Sequence, residues 1–460
     1  MISAKEMRIL ENNSEYLNVS KLELMENAGK AVCDVLRKKF NLKDKKILVV
    51  CWHGNNGGDG FVAARYLNQD FYVKVLFTGD KKKFTPEAGR NFSMLNKKLF
   101  VSDINLKKYD IIIDALLGTG TKGSLREPIL STVKKINSSK AFKVSLDIPT
   151  GFNLKTGKIS GECVKADLVI TFHDIKTGIE NLCNKIVDIG IPADADKFAG
   201  PGELREVVKV RKPRSHKGDF GKVLIIGGSE DYVGAPILAG EAAFASGVDI
   251  VTITAPEKIA FAINTYNPDL ITKKLKGDYF SIKHIPELLK LSKRFDSVLI
   301  GPGLGRKSDD FVRELCVKLK KPAVIDADAV KALRLQDIDN AILTPHSKEF
   351  QTLRDNSGMK KIKPGTNVIL KKGSVDEIIS RSKVKHNKTG NPGMTVGGTG
   401  DVLAGLCAGF LAQSNDLFNS ACAAAFISGL AGDSLNKKLG NGFTASSVVK
   451  EIPVTIKKML

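Results

Sequence analysis

The sequence predicts an α/β protein with two domains, the first a doubly wound parallel sheet and the second a further series of alternating strands and helices. Apolar runs alternate with helical patterns along the chain, which is typical of a parallel sheet with helices on both faces. The runs show little polar alternation, as expected for strands buried on both faces. At 460 residues, 42% of them hydrophobic, the chain is long enough for two buried cores.

Six apolar runs predict the strands of the first domain. Helical patterns lie between them, for instance over Gly60–Leu67 and Pro128–Ile136. The order of runs and helices follows the βαβ pattern. The predicted strands are Lys46–Trp52, Tyr72–Phe77, Asp110–Ala115, Phe142–Asp147, Leu168–Phe172 and Ile186–Ile191.

Glycines, prolines and charges interrupt the pattern over residues 200–219. We therefore place the boundary near Glu206 and expect domains at residues 1–205 and 206–460. From Gly400 to about Asn436 the chain is rich in Gly and Ala and helical in pattern. The strands predicted for the second domain are Lys222–Ile226, Asp249–Thr254, Ser297–Ile300, Ala323–Asp326, Ala341–Thr344 and Val368–Leu370.

Composition narrows the class of protein and its compartment. The net charge is +21, but lysines are spread along the chain, which favours a solvated surface over nucleic-acid binding. Seven scattered cysteines without a C-x-x-C pair suit a reducing compartment. The N-terminus lacks the apolar region of a signal peptide. The longest apolar stretches, Val402–Ala412 and Ala421–Ala431, are too short to span a bilayer. We expect a cytoplasmic protein that binds no membrane.

Three polar loops follow predicted strands in the first domain. The loop over residues 53–60 carries four glycines and opens a helix, where backbone N–H groups can approach an anion. Asp114 and Asp147 lie at the ends of two further strands, where α/β proteins bind ligands. These carboxylates could hold a cation or act as a base. The alternatives are Asn/Gly turn chemistry, with Asp59 as a helix N-cap, and simple capping by each aspartate.

The segment Gly390–Asp401 is the strongest signal in the second domain. Gly397–Gly400 offers backbone N–H groups at a helix N-terminus, and Asp401 enters that helix. A carboxylate beside a phosphate site suits a base that deprotonates an attacking hydroxyl. The alternative is an ordinary N-cap, which five glycines between residues 390 and 400 make less favoured.

Three other features end strands of the same domain. His346 follows one strand, and a lone histidine is more often structural than catalytic. Asp326 and Asp328 could support magnesium and phosphate, or serve as turn residues. Lys371–Ser374 follows another strand and could meet nucleotide phosphates.

The loops of the first domain resemble the NAD(P)HX epimerase family. The resemblance rests on G-N-N-G-G-D-G, D-A-L-L-G-T-G and L-D-I-P-T-G, with L-M-E-N-A-G upstream and T-F-H and K-T-G downstream. It implies that Asp147 contacts the substrate and transfers protons. It also implies a potassium site made by Asn56, Asp114 and Thr150. The other implied substrate residues are Asn55, Asn56, Gly57, Gly58, Asp59, Gly118, Thr119, Gly120, Thr121, Lys122, Gly123 and Ser124.

The second domain resembles the ribokinase-like superfamily and, within it, the ADP-dependent NAD(P)HX dehydratase family. The pattern includes H-K-G-D-F-G, G-P-G-L-G, T-P-H and N-P-G-M followed by G-G-T-G-D. The resemblance implies a catalytic base at Asp401 and Mg²⁺ bound with ADP. The implied substrate residues are Ala235, Gly303, His346 and Asp401, and the implied nucleotide residues are Lys371, Lys372, Gly373, Ser374 and Gly400.

Together the resemblances imply a bifunctional repair enzyme for hydrated nicotinamide cofactors. The first domain would have a Rossmann-like fold and interconvert (R)- and (S)-NADHX or NADPHX. The second would phosphorylate the C6 hydroxyl of the (S) epimer with ADP, so that phosphate departs and NAD(P)H is restored. The families' assemblies lead us to expect a homo-oligomer.

Three alternatives remain open from the sequence. A ribokinase-like small-molecule kinase would use the same superfamily loops and release a stable phosphate ester. The first half could instead be a ligand-binding or oligomerisation module without activity. Nucleic-acid binding, suggested by the charge, would show a steep salt dependence. The absence of an aromatic-rich basic motif argues against it.

Overall fold

The computed structural model describes residues 1–102, 105–120, 123–154, 157–159, 161–182 and 185–460. The chain forms two compact units, Met1–Ala195 and Asp196–Leu460. Each unit is built on its own sheet, so each is described separately below.

The first unit is a parallel sheet flanked by helices. Its six strands follow the order β2-β1-β3-β4-β7-β8, and a small antiparallel pair, β5-β6, lies apart from that sheet. The strands are β1 (Lys46–Cys51), β2 (Tyr72–Phe77), β3 (Ile111–Ala115), β4 (Phe142–Leu146), β5 (Phe152–Asn153), β6 (Lys158–Ile159), β7 (Leu168–Phe172) and β8 (Lys185–Val187). The helices are α1 (Ala4–Tyr16), α2 (Lys21–Lys39), α3 (Asn55–Leu67), α4 (Pro86–Ser93), α5 (Ile129–Ser138) and α6 (Ala193–Lys197), whose last two residues belong to the second unit.

The second unit has a nine-stranded mixed sheet. The strand order is β11-β10-β9-β12-β13-β14-β15-β16-β17, and only the pairings of β16 are antiparallel. The strands are β9 (Lys222–Ile226), β10 (Ile250–Pro256), β11 (Ile271–Leu275), β12 (Ser297–Ile300), β13 (Ala323–Ile325), β14 (Ala341–Leu343), β15 (Val368–Lys371), β16 (Asp376–Ile379) and β17 (Val384–Asn387). The helices are α7 (Pro201–Val207), α8 (Gly234–Ala245), α9 (Glu257–Tyr266), α10 (Ile285–Ser292), α11 (Asp309–Lys318), α12 (Ala327–Ala332), α13 (Ser347–Asn356), α14 (Thr399–Ser414), α15 (Leu417–Leu439) and α16 (Ala445–Met459).

Successive side chains of the central strands point to opposite faces of the sheet and pack into two different hydrophobic cores. In β1, Ile47 and Val49 join one apolar cluster while Leu48 and Val50 join another. The residues of β9 divide in the same way between the two faces of the second sheet. Both faces of these strands are therefore buried, which explains why their sequences are continuously apolar.

The α/β prediction is confirmed, with a parallel sheet in the first unit and a mixed sheet in the second. The twelve predicted strands all occur: eleven shift by at most two residues at an end, whereas β8 ends four residues before the predicted strand does. The sequence did not indicate the edge strands β11 and β17 or the neighbouring strand β16, which carry exposed or polar residues. The helical stretch predicted from Gly400 is two helices, because Asn415 adopts a left-handed conformation with φ of 56° and ends α14. Helix α3 begins at Asn55, five residues before the predicted helix, and its N-cap is Gly54 rather than Asp59.

The second compact unit begins at Asp196, before α7, whereas the boundary predicted from the sequence lies near Glu206. Leu204 and Val207 of this helix lie in a core of the second unit. Glu203 is buried and forms an ion pair of 2.5 Å with Lys385 of β17. The Gly and Pro residues that suggested a linker form the start of α7, with Pro201 in its first turn.

Helices α8 and α14 pack side by side at very short range. A Cβ on Gly405 would lie 2.1 Å from the Ala239 carbonyl oxygen, and one on Gly409 would lie 2.1 Å from Ser246 Oγ. Leu238, near the start of α8, lies against Gly398 at the start of α14. The two helices are therefore parallel, and their N-termini lie at the same end of the unit.

Two further observations concern the length of the helices and the state of the cysteines. No helix among the described residues has the length and apolar character needed to cross a membrane. The six cysteines in the described part of the chain are buried and free.

The close approach at Gly405 predicts a large cost for a single methyl group. In Gly405→Ala, α8 and α14 must separate, and overpacking of this kind costs about 1–3 kcal/mol. We expect a lower melting temperature for the second unit by scanning calorimetry. Gly234→Ala is the control, because a Cβ there meets no atom within 4 Å. Equal shifts in the two variants would contradict this explanation.

Candidate active sites

A cavity of about 560 Å³ lies within the first unit. It lies at the carboxyl end of the sheet and is closed by α1 and α2. Polar and charged groups line it together with apolar side chains such as Met25 and Phe172. The polar lining includes Arg8, Glu11, Asn12, Lys21, Asn55, Asn56, Asp59, Glu87, Thr119 and Asp147.

The glycine-rich loop of the sequence is the first turn of α3. The first backbone hydrogen bond of this helix runs from Gly58 N–H to Gly54, so the preceding N–H groups have no partner within the helix. Gly57 is required because a Cβ there would lie 1.8 Å from the Trp52 carbonyl oxygen. Gly54, Asn55 and Asn56 line the cavity, so this helix N-terminus can receive an anionic group.

Asn56 has a buried amide group without hydrogen-bond partners in the part of the chain that the structure describes. Its side chain lies beside Gly118, where a Cβ would be 3.8 Å from Asn56 Oδ1. An unpaired amide oxygen in a buried position is unfavourable unless a ligand occupies it. The oxygen therefore fits a cation such as potassium.

Asp114 at the end of β3 is fully buried and accepts four hydrogen bonds. Its donors are the N–H and hydroxyl of Thr150, at 2.9 and 2.7 Å, the Ser145 hydroxyl at 2.8 Å and the Leu116 N–H at 3.2 Å. Burial raises the pKa of Asp114, although these hydrogen bonds oppose the shift. The network fixes the loops after β3 and β4. Asp114 can therefore supply negative charge to a cation site, but its lone pairs are already engaged.

Asp147 follows β4 and lines the cavity. Its backbone has φ of 62°, in the left-handed region that non-glycine residues seldom adopt. Lys176 Nζ lies 2.6 Å from Asp147 Oδ1, and the Lys176 side chain is fully buried. The ammonium group also donates to the Phe172 carbonyl oxygen at 2.6 Å. Asp147 therefore lines the cavity, and its carboxylate is paired with the ammonium group of Lys176, which is not part of the cavity lining.

Two further carboxyl groups share the cavity with Asp147. Burial and the charge of Asp147 raise the pKa of Glu11 to about 7. Burial, followed by the charges of Asp147 and Glu11, raises the pKa of Asp59 well above its usual range. A cavity with acids in different protonation states can both accept and donate protons near neutral pH.

The remaining predicted substrate loop is only partly described. Gly118, Thr119 and Gly120 line the cavity. Thr121 and Lys122 lie outside the described residues. Gly123 and Ser124 are exposed and are not among the residues that line the cavity.

The second unit presents the start of α14 as an anion-binding feature. Gly398 is its N-cap, with φ of 94°, a conformation that glycine adopts without strain. The Thr399 hydroxyl donates to the carbonyl oxygens of Met394 and Val396 and holds the approach to the helix. Asp401 lies in the first turn, as the sequence predicted.

Asp401 belongs to a buried charge cluster at the carboxyl ends of β13 and β15. Lys372 Nζ lies 3.1 Å from Asp326 Oδ1, and the Thr344 hydroxyl donates to the same oxygen at 2.7 Å. Burial and the charge of Asp326 raise the pKa of Asp401 to about 7, although Lys372 opposes this. Burial tends to lower the pKa of Lys372, but the neighbouring carboxylates raise it overall.

Asp326 and Asp328 differ in what they can still bind. Asp326 Oδ2 accepts no hydrogen bond from the described residues, so this oxygen fits a magnesium ion or its water ligands. Asp328 accepts from Gly305 N–H and from Lys331, both at 3.0 Å. Among the described residues, no group of three or more His, Cys, Asp or Glu side chains could hold a metal ion by itself.

The predicted substrate residues of this unit come together in part. A Cβ on Gly303 would lie 3.2 Å from the Ala235 Cβ, so these two positions are in contact. The backbones of His346 and Lys372 are bridged, which brings the ends of β14 and β15 together. The His346 ring caps α13, because Nδ1 accepts from Lys348 N–H at 3.1 Å. The ring is about half exposed.

The two lysines of the predicted nucleotide segment, Lys371 and Lys372, have different partners. Lys371 forms an ion pair of 2.7 Å with Glu377, away from the charge cluster. Lys372 points into the cluster, where its Nζ would lie 3.4 Å from a Cβ on Gly400. Gly373 and Ser374 are exposed, and Gly373 N–H donates to Asp376 at 3.0 Å.

Sequence reasoning missed three residues that the structure brings into these sites. Lys176 lies in the K-T-G segment, but no spacing shows that its ammonium reaches Asp147. Glu11 is one of many acidic residues on an amphipathic helix and gives no local signal. Thr344, in the T-P-H segment, contacts Asp326 only in the folded chain.

Two family models match the chain. The model described as NAD(P)H-hydrate dehydratase matches residues 223–454. The model described as YjeF-related protein N-terminus matches residues 21–178. The chain is 42% identical to the bifunctional NAD(P)H-hydrate repair enzyme Nnr of Methanothermobacter thermautotrophicus, over 97% of this chain and 94% of the relative. It is 43% identical to the Archaeoglobus fulgidus enzyme of the same name, over 99% and 98%.

The chain belongs to the bifunctional NAD(P)H-hydrate repair enzyme family. The resemblance drawn from the motifs is confirmed, and so is the expected order of an epimerase-type unit followed by a dehydratase-type unit.

Solved structures match the second unit of this family member. A ribokinase-like superfamily protein of Enterococcus faecalis is 27% identical with a TM-score of 0.51, over 57% of this chain and 96% of that chain. An ADP/ATP-dependent NAD(P)H-hydrate dehydratase of Bacillus subtilis, co-crystallised with ATP and Mg²⁺, is 24% identical with a TM-score of 0.50. That match covers 58% of this chain and 99% of the other and shows a shared fold. The ribokinase-like prediction is confirmed.

The Asp114 network of this repair-enzyme family member predicts a stability effect in the first unit. In Asp114→Asn an NH₂ group replaces one oxygen and faces existing donors, so a buried N–H or hydroxyl loses its acceptor. The cost of an unsatisfied buried group is about 1–3 kcal/mol. Urea unfolding followed by the fluorescence of Trp52, the single tryptophan, reports on this unit.

The matched control for that experiment is Asp110→Asn, four residues earlier in the chain. Asp110 is exposed, and an amide oxygen there can still accept from Lys46 N–H. We expect a change within about 0.5 kcal/mol. A loss as large as that of Asp114→Asn would contradict a role for the buried network.

Proposed function

We propose that this chain repairs hydrated nicotinamide cofactors with two active sites. The first unit interconverts (R)- and (S)-NAD(P)HX. The second dehydrates (S)-NAD(P)HX to NAD(P)H with ADP or ATP as phosphoryl donor. The observation that carries this proposal is the full-length match at 42–43% identity to bifunctional repair enzymes, joined with a charged site in each unit. A cytoplasmic location and a homo-oligomeric state are part of the same proposal.

In the first unit, the cavity supplies both the binding groups and the proton-transfer group. The N-terminus of α3 and the cationic side chains of Arg8 and Lys21 suit the phosphates of a dinucleotide. Asp147, held by Lys176, is placed to accept a proton from the hydrated ring. This combination supports an epimerase better than a module that only binds ligand.

A potassium ion fits this site through the unpaired Asn56 oxygen, with Asp114 supplying charge and Thr150 linking the two loops. Such an ion would supply a fixed positive charge for the substrate's phosphate or hydroxyl oxygens. The residues themselves fix the loops after β3 and β4, which border the cavity.

In the second unit, Asp401 accepts the proton of the substrate's C6 hydroxyl as that oxygen attacks the terminal phosphorus. The N–H groups at the start of α14 and the Lys372 ammonium stabilise the charge that develops on the phosphoryl oxygens. Magnesium bound with the nucleotide, near Asp326, would supply further neutralisation of phosphate charge. ADP thus becomes AMP, and the C6 oxygen carries a phosphate.

The phosphorylated hydrate then loses phosphate. The C6–O bond breaks with help from the ring nitrogen's electron pair, and a proton leaves C5 to restore the double bond. The net products from ADP are NAD(P)H, AMP and inorganic phosphate. Release of free phosphate distinguishes this reaction from that of a kinase with a stable phosphate ester.

Asp147→Asn should separate the two activities. With a mixture of NADHX epimers, ADP and magnesium, we expect wild-type protein to convert all of the hydrate. The variant should stop when the (S) fraction is used, because the amide accepts no proton. The reduced-nicotinamide absorbance follows both reactions. Complete conversion by the variant at the wild-type rate would contradict a role for Asp147 in proton transfer.

Asp401→Asn should abolish dehydration while epimer interconversion continues. In wild-type protein the base form of Asp401 is lost as pH falls through about 7. We therefore expect kcat for dehydration to fall about tenfold per pH unit below that value. A kcat for dehydration that stays constant from about pH 5 to about pH 8 would argue against Asp401 as the base.

A further inference from the structure

Three carboxyl groups from different elements line the cavity of the first unit: Glu11 of α1, Asp59 of α3 and Asp147 after β4. Only Asp147 has a cation against it. The Glu11 side chain makes no hydrogen bond or ion pair with the residues that the structure describes. Its carboxyl group therefore faces the cavity without a structural task.

Epimerisation at C6 needs two proton transfers at once. C6 carries a hydroxyl and the ring nitrogen, so its configuration can invert if the C6–N1 bond breaks and re-forms on the other face. In the opening step the hydroxyl loses its proton, a C=O bond forms, and N1 keeps the C6–N1 electron pair and takes a proton. Closure reverses these changes. One group must accept a proton while another donates one.

We propose that Glu11 is a second catalytic residue of the epimerase site and donates the proton to N1 while Asp147 accepts the hydroxyl proton. The assignment rests on the proposed function of the first unit. It adds the proton donor that Asp147 alone does not provide. On ring closure Glu11 takes the proton back from N1, and Asp147 returns a proton to the C6 oxygen. Both residues are then in their starting protonation states.

The surroundings of the two residues suit opposite protonation states. The Lys176 ammonium at 2.6 Å stabilises the Asp147 carboxylate. Burial and the Asp147 charge raise the pKa of Glu11 to about 7, so a large share of Glu11 is protonated at neutral pH. Other charged groups around Glu11 act on it as well: Lys21, Lys176 and Arg8 lower its pKa, and Asp59 and Glu87 line the same cavity.

Asp59 is the competing donor within the cavity. Burial and the charges of Asp147 and Glu11 raise the pKa of Asp59 well above its usual range. A proton donor works best when its pKa lies near the operating pH, and the pKa of Glu11, about 7, meets this condition.

The test measures conversion of purified (R)-NADHX to (S)-NADHX by chromatography, with full-length protein and no nucleotide. Without ADP or ATP the (S) epimer is not consumed by the second unit. We expect Glu11→Gln to lower kcat by about 100-fold with little change in KM. In wild-type protein kcat should decline above pH about 7, as Glu11 loses its proton, and the residual rate of the variant should lack this decline.

Glu23→Gln is the matched control. Glu23 is an exposed residue in the first turn of α2. It lies outside the cavity lining and is not among the charges that shift the pKa of Glu11, so we expect the wild-type rate and pH profile.

Each outcome decides a separate question. If wild-type protein does not interconvert the epimers, the proposed function of the first unit is wrong. If it does, but Glu11→Gln keeps the wild-type rate and its alkaline decline, Glu11 is not the donor. Loss of the decline in Asp59→Asn, with Glu11→Gln unaffected, would assign the role to Asp59.

A second variant covers the case in which Glu11→Gln does not fold, as judged by Trp52 fluorescence. Glu11→Asp keeps the carboxyl group on a shorter side chain. Partial activity with a retained alkaline decline would support the assignment. A folded Glu11→Asp protein at full rate without that decline would overturn it.

Discussion

Parallel strand pairing determines where chemistry can occur in both units. Neighbouring parallel strands end at the same edge of the sheet, so the residues that follow them are brought together although they are far apart in the chain. Asp114 lies at the end of β3, and Asp147 follows the adjacent strand β4. Asp326, Thr344 and Lys372 follow adjacent strands of the second. Helix N-termini reach the same edges and supply N–H groups for anions.

Buried charge is the second property that the two sites share. Each combines carboxyl groups with one lysine: Asp147 with Lys176 in the first unit, and Asp326 with Lys372 in the second. The lysine stabilises one carboxylate, and burial together with the charge of that carboxylate raises the pKa of a second carboxyl group to about 7. In the proposed mechanism, the groups that exchange protons near neutral pH are therefore carboxyl groups whose pKa is raised by burial and by a neighbouring carboxylate.

Local pattern was sufficient for most of the fold. Strands buried on both faces have continuous apolar sequences, so the central strands of both sheets were predictable. Edge strands such as β11 and β17 have one exposed face and look like loops. The start of α3 was hidden by its glycines, which weaken helix propensity, although Gly57 is required for packing against Trp52. The Gly and Pro residues that suggested a linker near Glu206 instead begin helix α7, and no sequence pattern distinguished the two arrangements.

Only the site residues that lie within recognisable sequence motifs were predictable. The loops around Asp147 and Asp401 have recognisable sequences, because glycine conformations and strand ends constrain them. Glu11 and Lys176 act on Asp147 across the fold, and no spacing along the chain encodes such a distance. The separation of Lys371 from Lys372 likewise depends on which face of β15 each side chain takes. Tertiary contacts decide these assignments.

The left-handed backbone at Asp147 lowers the stability of the fold at the residue to which we assign proton transfer. A non-glycine residue in this conformation costs about 1 kcal/mol or more, which glycine would avoid. Removal of the carboxylate, however, would leave Lys176 buried without its partner. Variants with both Asp147→Gly and an apolar residue at position 176 would escape both penalties. Selection for thermal tolerance alone would thus favour replacement of this aspartate. If Asp147 has its proposed role, only continued use of the reaction keeps this strained residue in place.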